Sequence, residues 1–144
     1  VAPWGIEALR NGVYAFGLPA QRSNQLIAVA DIGAFVAAVI ERGASVFGQR
    51  FDIAGDQLSG TDQAAILARA TGRPVHYQEI PLAAARQQDP ESAIMFEWFD
   101  RVGYDVDIAS LHRAFPEVRW HAFDAWARDF DWSVLAPPSQ AANG

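Results

Sequence analysis

The chain has 144 residues, of which 51% are hydrophobic and 12% aromatic, and it carries a formal net charge of −6. This composition excludes extensive disorder, and the lack of cysteine excludes disulfide bonds, thiolate metal sites and a cysteine nucleophile. The acidic charge without a basic run argues against nucleic acid as a partner, and no apolar stretch reaches the roughly 20 residues that a membrane helix needs, so we expect no membrane partner either.

The start of the chain predicts a short helix followed by two strands. Residues 3–9 form the helix, which the Asn11-Gly12 pair ends. Residues 12–16 and residues 24–29 are the two strand candidates. Because the second candidate is apolar on both faces, we expect it to be buried.

The clearest predicted element is a helix over residues 31–42. We expect Asp31 to cap its N-terminal amides and Gly43 to end it in a left-handed conformation. Apolar side chains recur at helical spacing and predict one stripe that faces the core: Ile32, Phe35, Val36, Val39 and Ile40.

The middle of the chain predicts strand, helix and strand. Residues 50–54 have strand composition, and residues 55–56 leave the strand. Ser59 followed three residues later by Asp62 resembles a capping box, which opens a helix over residues 64–70. Residues 75–80 form the next strand candidate. Strand–helix–strand units predict parallel pairing, so the fold class is α/β.

The last third of the chain predicts helices only. Asp89-Pro90 is a helix start, and Asp107 opens another helix over residues 108–115. Two apolar stripes are expected to face the core. The first comprises Ile94, Met95, Trp98, Phe99 and Val102, and the second comprises Phe123, Trp126, Ala127 and Phe130.

Five segments, in this order, resemble the C-terminal half of the NmrA-like proteins, which are atypical members of the short-chain dehydrogenase/reductase superfamily. They are residues 25–33 (QLIAVADIG), 51–59 (FDIAGDQLS), 71–77 (TGRPVHY), 96–108 (FEWFDRVGYDVDI) and 123–127 (FDAWA). The resemblance runs from about residue 12 to residue 132, which is nearly the whole chain.

The resemblance implies the C-terminal part of a Rossmann-type fold, with a few strands and a helical substrate lobe. Residues 1–135 would be the substrate-side lobe and residues 136–144 a flexible tail. The cofactor that the resemblance implies is NADP or NAD. Its phosphate-binding glycine-rich turn does not occur in the chain, so we expect the N-terminal Rossmann half to be a partner outside this sequence.

The residues themselves predict no catalytic group and no metal site. Without lysine the chain cannot carry the Tyr-x-x-x-Lys pair of short-chain dehydrogenases, and its three histidines lack metal-ligand spacing. Asp31 could be read as a catalytic carboxylate, but the capping role is favoured. His121 stands where the resembling proteins tend to carry a threonine cap, so we expect it to be structural.

The resemblance places an acceptor pocket at two segments, which contribute Pro3, Trp4, Met95, Phe96 and Phe99. Phe96 lies off the predicted core stripe and needs a second apolar neighbour. A pocket for a small-molecule acceptor would provide one, and so would a partner lobe.

Three functions remain open at this point. By resemblance, the chain is the acceptor side of an NAD(P)-dependent reductase of quinones, enones or other small carbonyl compounds, inactive as a fragment. Alternatively, it belongs to a non-catalytic redox sensor that acts through a protein partner, or it is a structural fragment without activity. We expect a cytoplasmic, bacterial protein, and a homodimer is left open.

Overall fold

A computed structural model describes residues 3–136, except for the side chains of Pro3 and Trp4. Within this range, the helices are α1 (Pro3–Arg10), α2 (Val29–Arg42), α3 (Gly60–Thr71), α4 (Leu82–Gln88), α5 (Pro90–Arg101), α6 (Ile108–Ala114) and α7 (Phe123–Asp129). Short 3₁₀ helices cover Gly43–Val46, Pro116–Val118 and Trp132–Leu135. The strands are β1 (Val13–Phe16), β2 (Ser23–Leu26), β3 (Asp56–Ser59) and β4 (His76–Glu79). The predicted α/β class is confirmed. Residues 137–144 of the predicted tail lie outside the described residues.

The four strands form two separate pairs. β1 and β4 pair in parallel, with Val13 opposite His76. β2 and β3 pair antiparallel, with Leu26 opposite Asp56, although α2 lies between them in the chain, so the predicted parallel pairing is wrong for this strand–helix–strand unit. Just before β3, the Gly55 amide donates a hydrogen bond of 2.7 Å to the Leu26 carbonyl oxygen, which extends this pair by one bond.

Two strand predictions are wrong in extent or position. The strand predicted at residues 24–29 ends at Leu26, and Val29 instead begins α2 with 83% of its surface exposed. The strand predicted at residues 50–54 is absent, since these residues pair with no strand in the described part of the chain. Side-chain packing holds this segment instead: the Phe51 ring lies 5.7 Å from Phe35 and 5.2 Å from Phe115.

Helix α2 begins two residues earlier than predicted and turns a different face to the core. Its N-cap residue is Ala28, so Asp31 lies in the first turn and caps no amide. Phe35 and Ala38 are buried, but four other apolar side chains are exposed, which contradicts the predicted stripe. We call them the outer face of α2: Val29 (83%), Ile32 (39%), Val36 (51%) and Ile40 (73%). The helix is apolar on both sides, so periodicity alone could not tell the inner face from the outer one.

Helix α5 also differs from the predicted orientation. Ala93 and Phe96 are its buried residues. The predicted core stripe is largely exposed, at Ile94, Met95, Trp98 and Val102. The reason is the α4–α5 pair: the small Ala85 and Ala93 let the two helices pack closely and direct Phe96 onto the Phe16 ring of β1, 5.1 Å away.

Three apolar clusters hold the described residues together. The first joins α1 and α3 through Leu9 and Leu67, the second joins α2 and α6 through Phe35 and Leu111, and the third is the α4–α5 pair on β1. Three predicted caps are confirmed, because the side chains of Ser59, Asp89 and Asp107 each accept from an amide of the following helix. No helix within residues 3–136 is long and apolar enough to cross a bilayer.

Candidate functional site

Two cavities meet along the inner side of α7. The first, which we call the α1 cavity, has a volume of about 230 Å³ and lies among α1, β1, α3 and the Trp132–Leu135 helix. The second, which we call the α2 cavity, has a volume of about 420 Å³ and lies where β2 leads into α2. Tyr14, Phe123 and Trp126 line both. Of the two, only the α2 cavity has the size typical of a pocket for a small ligand.

The α2 cavity has an aliphatic wall and an aromatic wall. Residues 26–30, which connect β2 to α2, form the aliphatic wall. Phe123, Trp126 and Phe130 form the aromatic wall, with neighbouring ring centroids 5.3–5.4 Å apart. Four polar residues complete the lining: Tyr14, Asp56, Gln63 and His121. A flat apolar molecule fits between such walls, with the polar residues available to orient it.

Asp31 and His121 form a hydrogen-bonded pair at this cavity. The Asp31 side chain is 1% exposed, and its Oδ1 lies 2.5 Å from Nδ1 of His121, while Oδ2 accepts a bond of 2.9 Å from the His121 amide. A carboxylate at this distance requires the proton on Nδ1, which fixes the ring orientation and leaves Nε2 free to bind something else. The His121 side chain is 43% exposed, and Nε2 makes no hydrogen bond to the residues that the structure describes.

The sequence prediction missed this pair. Asp31 is not the cap that was expected, and His121 is more than a substitute for a capping threonine. Two signals pointed to the pair. Asp31 is the one charged residue among positions 29–40 of an otherwise apolar helix, and His121 stands where the resemblance leads one to expect a threonine. A buried carboxylate needs a partner, but the partner stands 90 positions away in the sequence.

Tyr14 lines both cavities and is hydrogen bonded to Gln63. Its hydroxyl donates a hydrogen bond of 2.6 Å to Oε1 of Gln63, which is 3% exposed. Burial, and secondarily the neighbouring Tyr77, raises the pKa of Tyr14 to about 12. Tyr14 is therefore a neutral donor whose hydroxyl is already engaged.

Raising the pH should show this burial directly. Because the folded pKa of Tyr14, about 12, lies above its ordinary value of 10.0, the stability that its neutral form contributes is complete below about pH 10 and is lost as the pH rises through about 12. We expect tyrosinate absorbance to show one late ionisation that the Tyr14→Phe variant lacks. The free energy of unfolding measured with denaturant should fall with rising pH more steeply in the unmodified chain than in this variant. Ionisation of Tyr14 with the ordinary tyrosine pKa of 10.0 would contradict its burial.

Asp56 is a structural link between β3 and α7. Its Oδ2 accepts a hydrogen bond of 2.8 Å from the Phe123 amide at the start of α7, and its Oδ1 accepts one of 2.8 Å from the Gln57 amide. Both carboxylate oxygens are therefore engaged with the backbone. Asp56 holds the aromatic wall in place and is not a free base at the cavity.

The predicted acceptor-pocket residues lie elsewhere. Met95 is 42% exposed, and the half-buried Phe99 packs against the α4–α5 core cluster and, at 5.5–5.6 Å, against Tyr104 and Trp98. Phe96 is only 9% exposed, inside the α4–α5 core cluster. None of these three side chains lines the α1 cavity or the α2 cavity.

The other predicted pocket residues, Pro3 and Trp4, belong to α1, but their side chains lie outside the described residues. Their neighbour Gly5 lines the α1 cavity. The acceptor pocket predicted at the five residues stays a prediction. Phe16 and Gly17, however, provide the apolar neighbours that Phe96 was expected to need.

The described residues do not fit the pyrophosphate of a dinucleotide. Two antiparallel-paired strands lead into long helices, and both helices carry a carboxylate in the first turn, Asp31 in α2 and Asp62 in α3. A carboxylate in the first turn repels an anion from the N-terminus of its helix, so neither α2 nor α3 suits a phosphate. We therefore assign no cofactor contact to these residues. Within residues 3–136, no three His, Asp or Glu side chains are grouped closely enough to hold a metal ion.

Comparison with known families assigns the chain to one of them. The model of the NmrA-like family matches residues 7–127, which is most of the chain. No curated protein matches the sequence.

Proposed function

Because the chain belongs to the NmrA-like family, whose members are NAD(P)-binding proteins of atypical short-chain dehydrogenase/reductase type, we propose that it forms the acceptor side of an NAD(P)-dependent reductase. The acceptors are quinones, enones or other small carbonyl compounds. The observation that carries the proposal is the α2 cavity, which combines an aromatic wall with a histidine whose Nε2 is available to a ligand. A largely apolar pocket with one available polar group suits a flat carbonyl acceptor.

The cofactor would be held by a dinucleotide-binding lobe outside this sequence. The outer face of α2 supports this proposal, since a helix that is apolar on all sides is normally covered. Residues 50–54, which have strand composition, also support it, since no described strand pairs with them. In the proposed assembly, the lobe covers both surfaces, NADP or NAD stays on the lobe, and this chain positions the acceptor.

The experiment uses the protein in which this chain and the dinucleotide-binding lobe occur together. NADPH and NADH oxidation is followed spectrophotometrically with a panel of quinones and enones, and NADP binding is measured by calorimetry. We expect oxidation that depends on the acceptor. The isolated chain should bind no dinucleotide. Micromolar NADP binding by the isolated chain would contradict the proposal that the cofactor is bound by the other lobe alone.

A non-catalytic redox sensor is the second candidate, and the outer face of α2 also favours it, because an exposed apolar helix face suits a protein partner. In this case NADP binds to the complete protein, but no acceptor in the panel is reduced. The predicted homodimer, which could use the same face, stays a prediction.

A further inference from the structure

We propose that the α2 cavity binds a neutral aromatic compound with a hydroxyl or carbonyl oxygen, that Nε2 of His121 holds this oxygen, and that Asp31 fixes the His121 ring. The proposal deepens the function above and rests on it for the choice of carbonyl compounds. It also moves the acceptor position away from α5, where the resemblance placed it.

The shape of the cavity sets the ligand class. Its volume, about 420 Å³, accommodates a molecule of one or two fused rings. Trp126 and Phe130 offer flat apolar surfaces on one side, and residues 26–30 offer aliphatic side chains on the other. Aromatic rings favour such a site through both burial and ring-to-ring contact.

The polar groups leave one clear position for a ligand oxygen. The Tyr14 hydroxyl is engaged with Gln63, and both Asp56 oxygens are engaged with backbone amides. His121 is different, because its Nδ1 faces Asp31 while its Nε2 has no partner among the described residues. The cavity therefore has one main polar anchor among largely apolar surfaces.

The chemistry of this anchor explains why a hydroxyl and a carbonyl both qualify. With the Nδ1 proton directed at Asp31, a neutral His121 accepts at Nε2 from a hydroxyl, and a protonated His121 donates from Nε2 to a carbonyl oxygen. An anion is disfavoured, because Asp56 lines the cavity and Asp31 lies directly behind His121. The ligand is therefore neutral.

The test measures binding of naphthol, naphthoquinone and unsubstituted naphthalene to the chain by calorimetry. Since the chain has no cysteine and no lysine, the quinone meets few groups that it could alkylate. With His121 neutral we expect the hydroxyl of naphthol, and with His121 protonated at lower pH the carbonyl of naphthoquinone, to raise the affinity about tenfold over naphthalene, the worth of one well-placed hydrogen bond. His121→Ala should remove that advantage, while Phe130→Ala should weaken all three compounds. The matched control His76→Ala, at an exposed histidine on β4, should change nothing.

Two further measurements keep the result clear if His121→Ala alone is poorly folded. The double variant Asp31→Asn with His121→Ala also lacks the anchor, but leaves no unpaired carboxylate. In the unmodified chain, heteronuclear NMR should show Nε2 of His121 and the Trp126 indole shifting when naphthol is added. Equal affinity for naphthol and naphthalene, or NMR shifts confined to Ile32, Val36 and Ile40 of the outer face, which do not line the cavity, would overturn the proposal.

The outcomes also separate this proposal from the proposed function. If naphthol binds through His121 but the complete protein oxidises no NAD(P)H with any acceptor, the reductase function is wrong and the binding site is supported. If the complete protein oxidises NAD(P)H with an acceptor but His121→Ala does not change naphthol affinity, the binding site is wrong and the reductase function is supported.

Discussion

Replacing Phe96 with alanine is expected to lower the free energy of unfolding by about 3–5 kcal/mol. The ring is 9% exposed, packs edge-on against Phe16 at 5.1 Å, and belongs to the cluster of Ala85 and Ala93. Gly17 shows how closely the ring is enclosed, since a Cβ at that position would overlap it. Removing the ring therefore leaves a cavity that its neighbours cannot easily close.

Thermal unfolding provides the measurement. For a chain of this length each kcal/mol shifts the melting temperature by about 2–4 °C, so Phe96→Ala should lower it by about 10 °C. Met95→Ala is the matched control: the adjacent side chain is 42% exposed, so the shift should be small. An unchanged melting temperature with weaker acceptor binding would instead place Phe96 in the pocket that the resemblance predicts.

The effect of Asp31→Asn on the free energy of unfolding should have opposite signs in the unmodified chain and in the His121→Ala variant. In the unmodified chain, Asp31→Asn is expected to destabilise by about 1–3 kcal/mol, because it weakens two hydrogen bonds of His121. In the His121→Ala background, the carboxylate is buried with one backbone donor left, which costs about 2–3 kcal/mol. There Asp31→Asn should restore stability, since a neutral amide relieves the unpaired charge.

Chemical denaturation of the four proteins in this cycle gives the coupling energy, which should reach about 1–3 kcal/mol for groups in direct contact. His112→Ala serves as a comparison, because His112 bonds to the Ala54 carbonyl oxygen and stacks on Trp120 without a carboxylate. Asp31→Asn should not rescue that variant. Additive effects throughout the cycle would mean that the pair is not formed.

Features that depend on neighbouring residues could be predicted from the sequence. The caps at Ser59, Asp89 and Asp107 hydrogen bond to amides only two or three residues away, so a local pattern contains all the necessary information. The α/β class and the family could be recognised for the same reason.

Features that depend on distant partners could not be predicted. Helices α2 and α5 are apolar on more than one side, and only the tertiary contacts of Phe35 and Phe96 decide which side is buried. The α2 cavity is assembled from four separate parts of the chain, from Tyr14 to Phe130, and its histidine is oriented by a carboxylate on another helix. A local sequence pattern carries no information about such contacts between residues far apart in the chain.

The close approach at Gly55 limits what substitutions this fold can accept. A side-chain carbon there would lie 3.1 Å from the His121 carbonyl oxygen and 3.5 Å from Oδ2 of Asp31. Any side chain there would press on the backbone of His121, which would have to move by a few tenths of an ångström, while the distance to Asp31 is an ordinary contact. The position of His121 therefore depends on a residue without a side chain, and glycine is favoured in the turn before β3 although it does not line the α2 cavity.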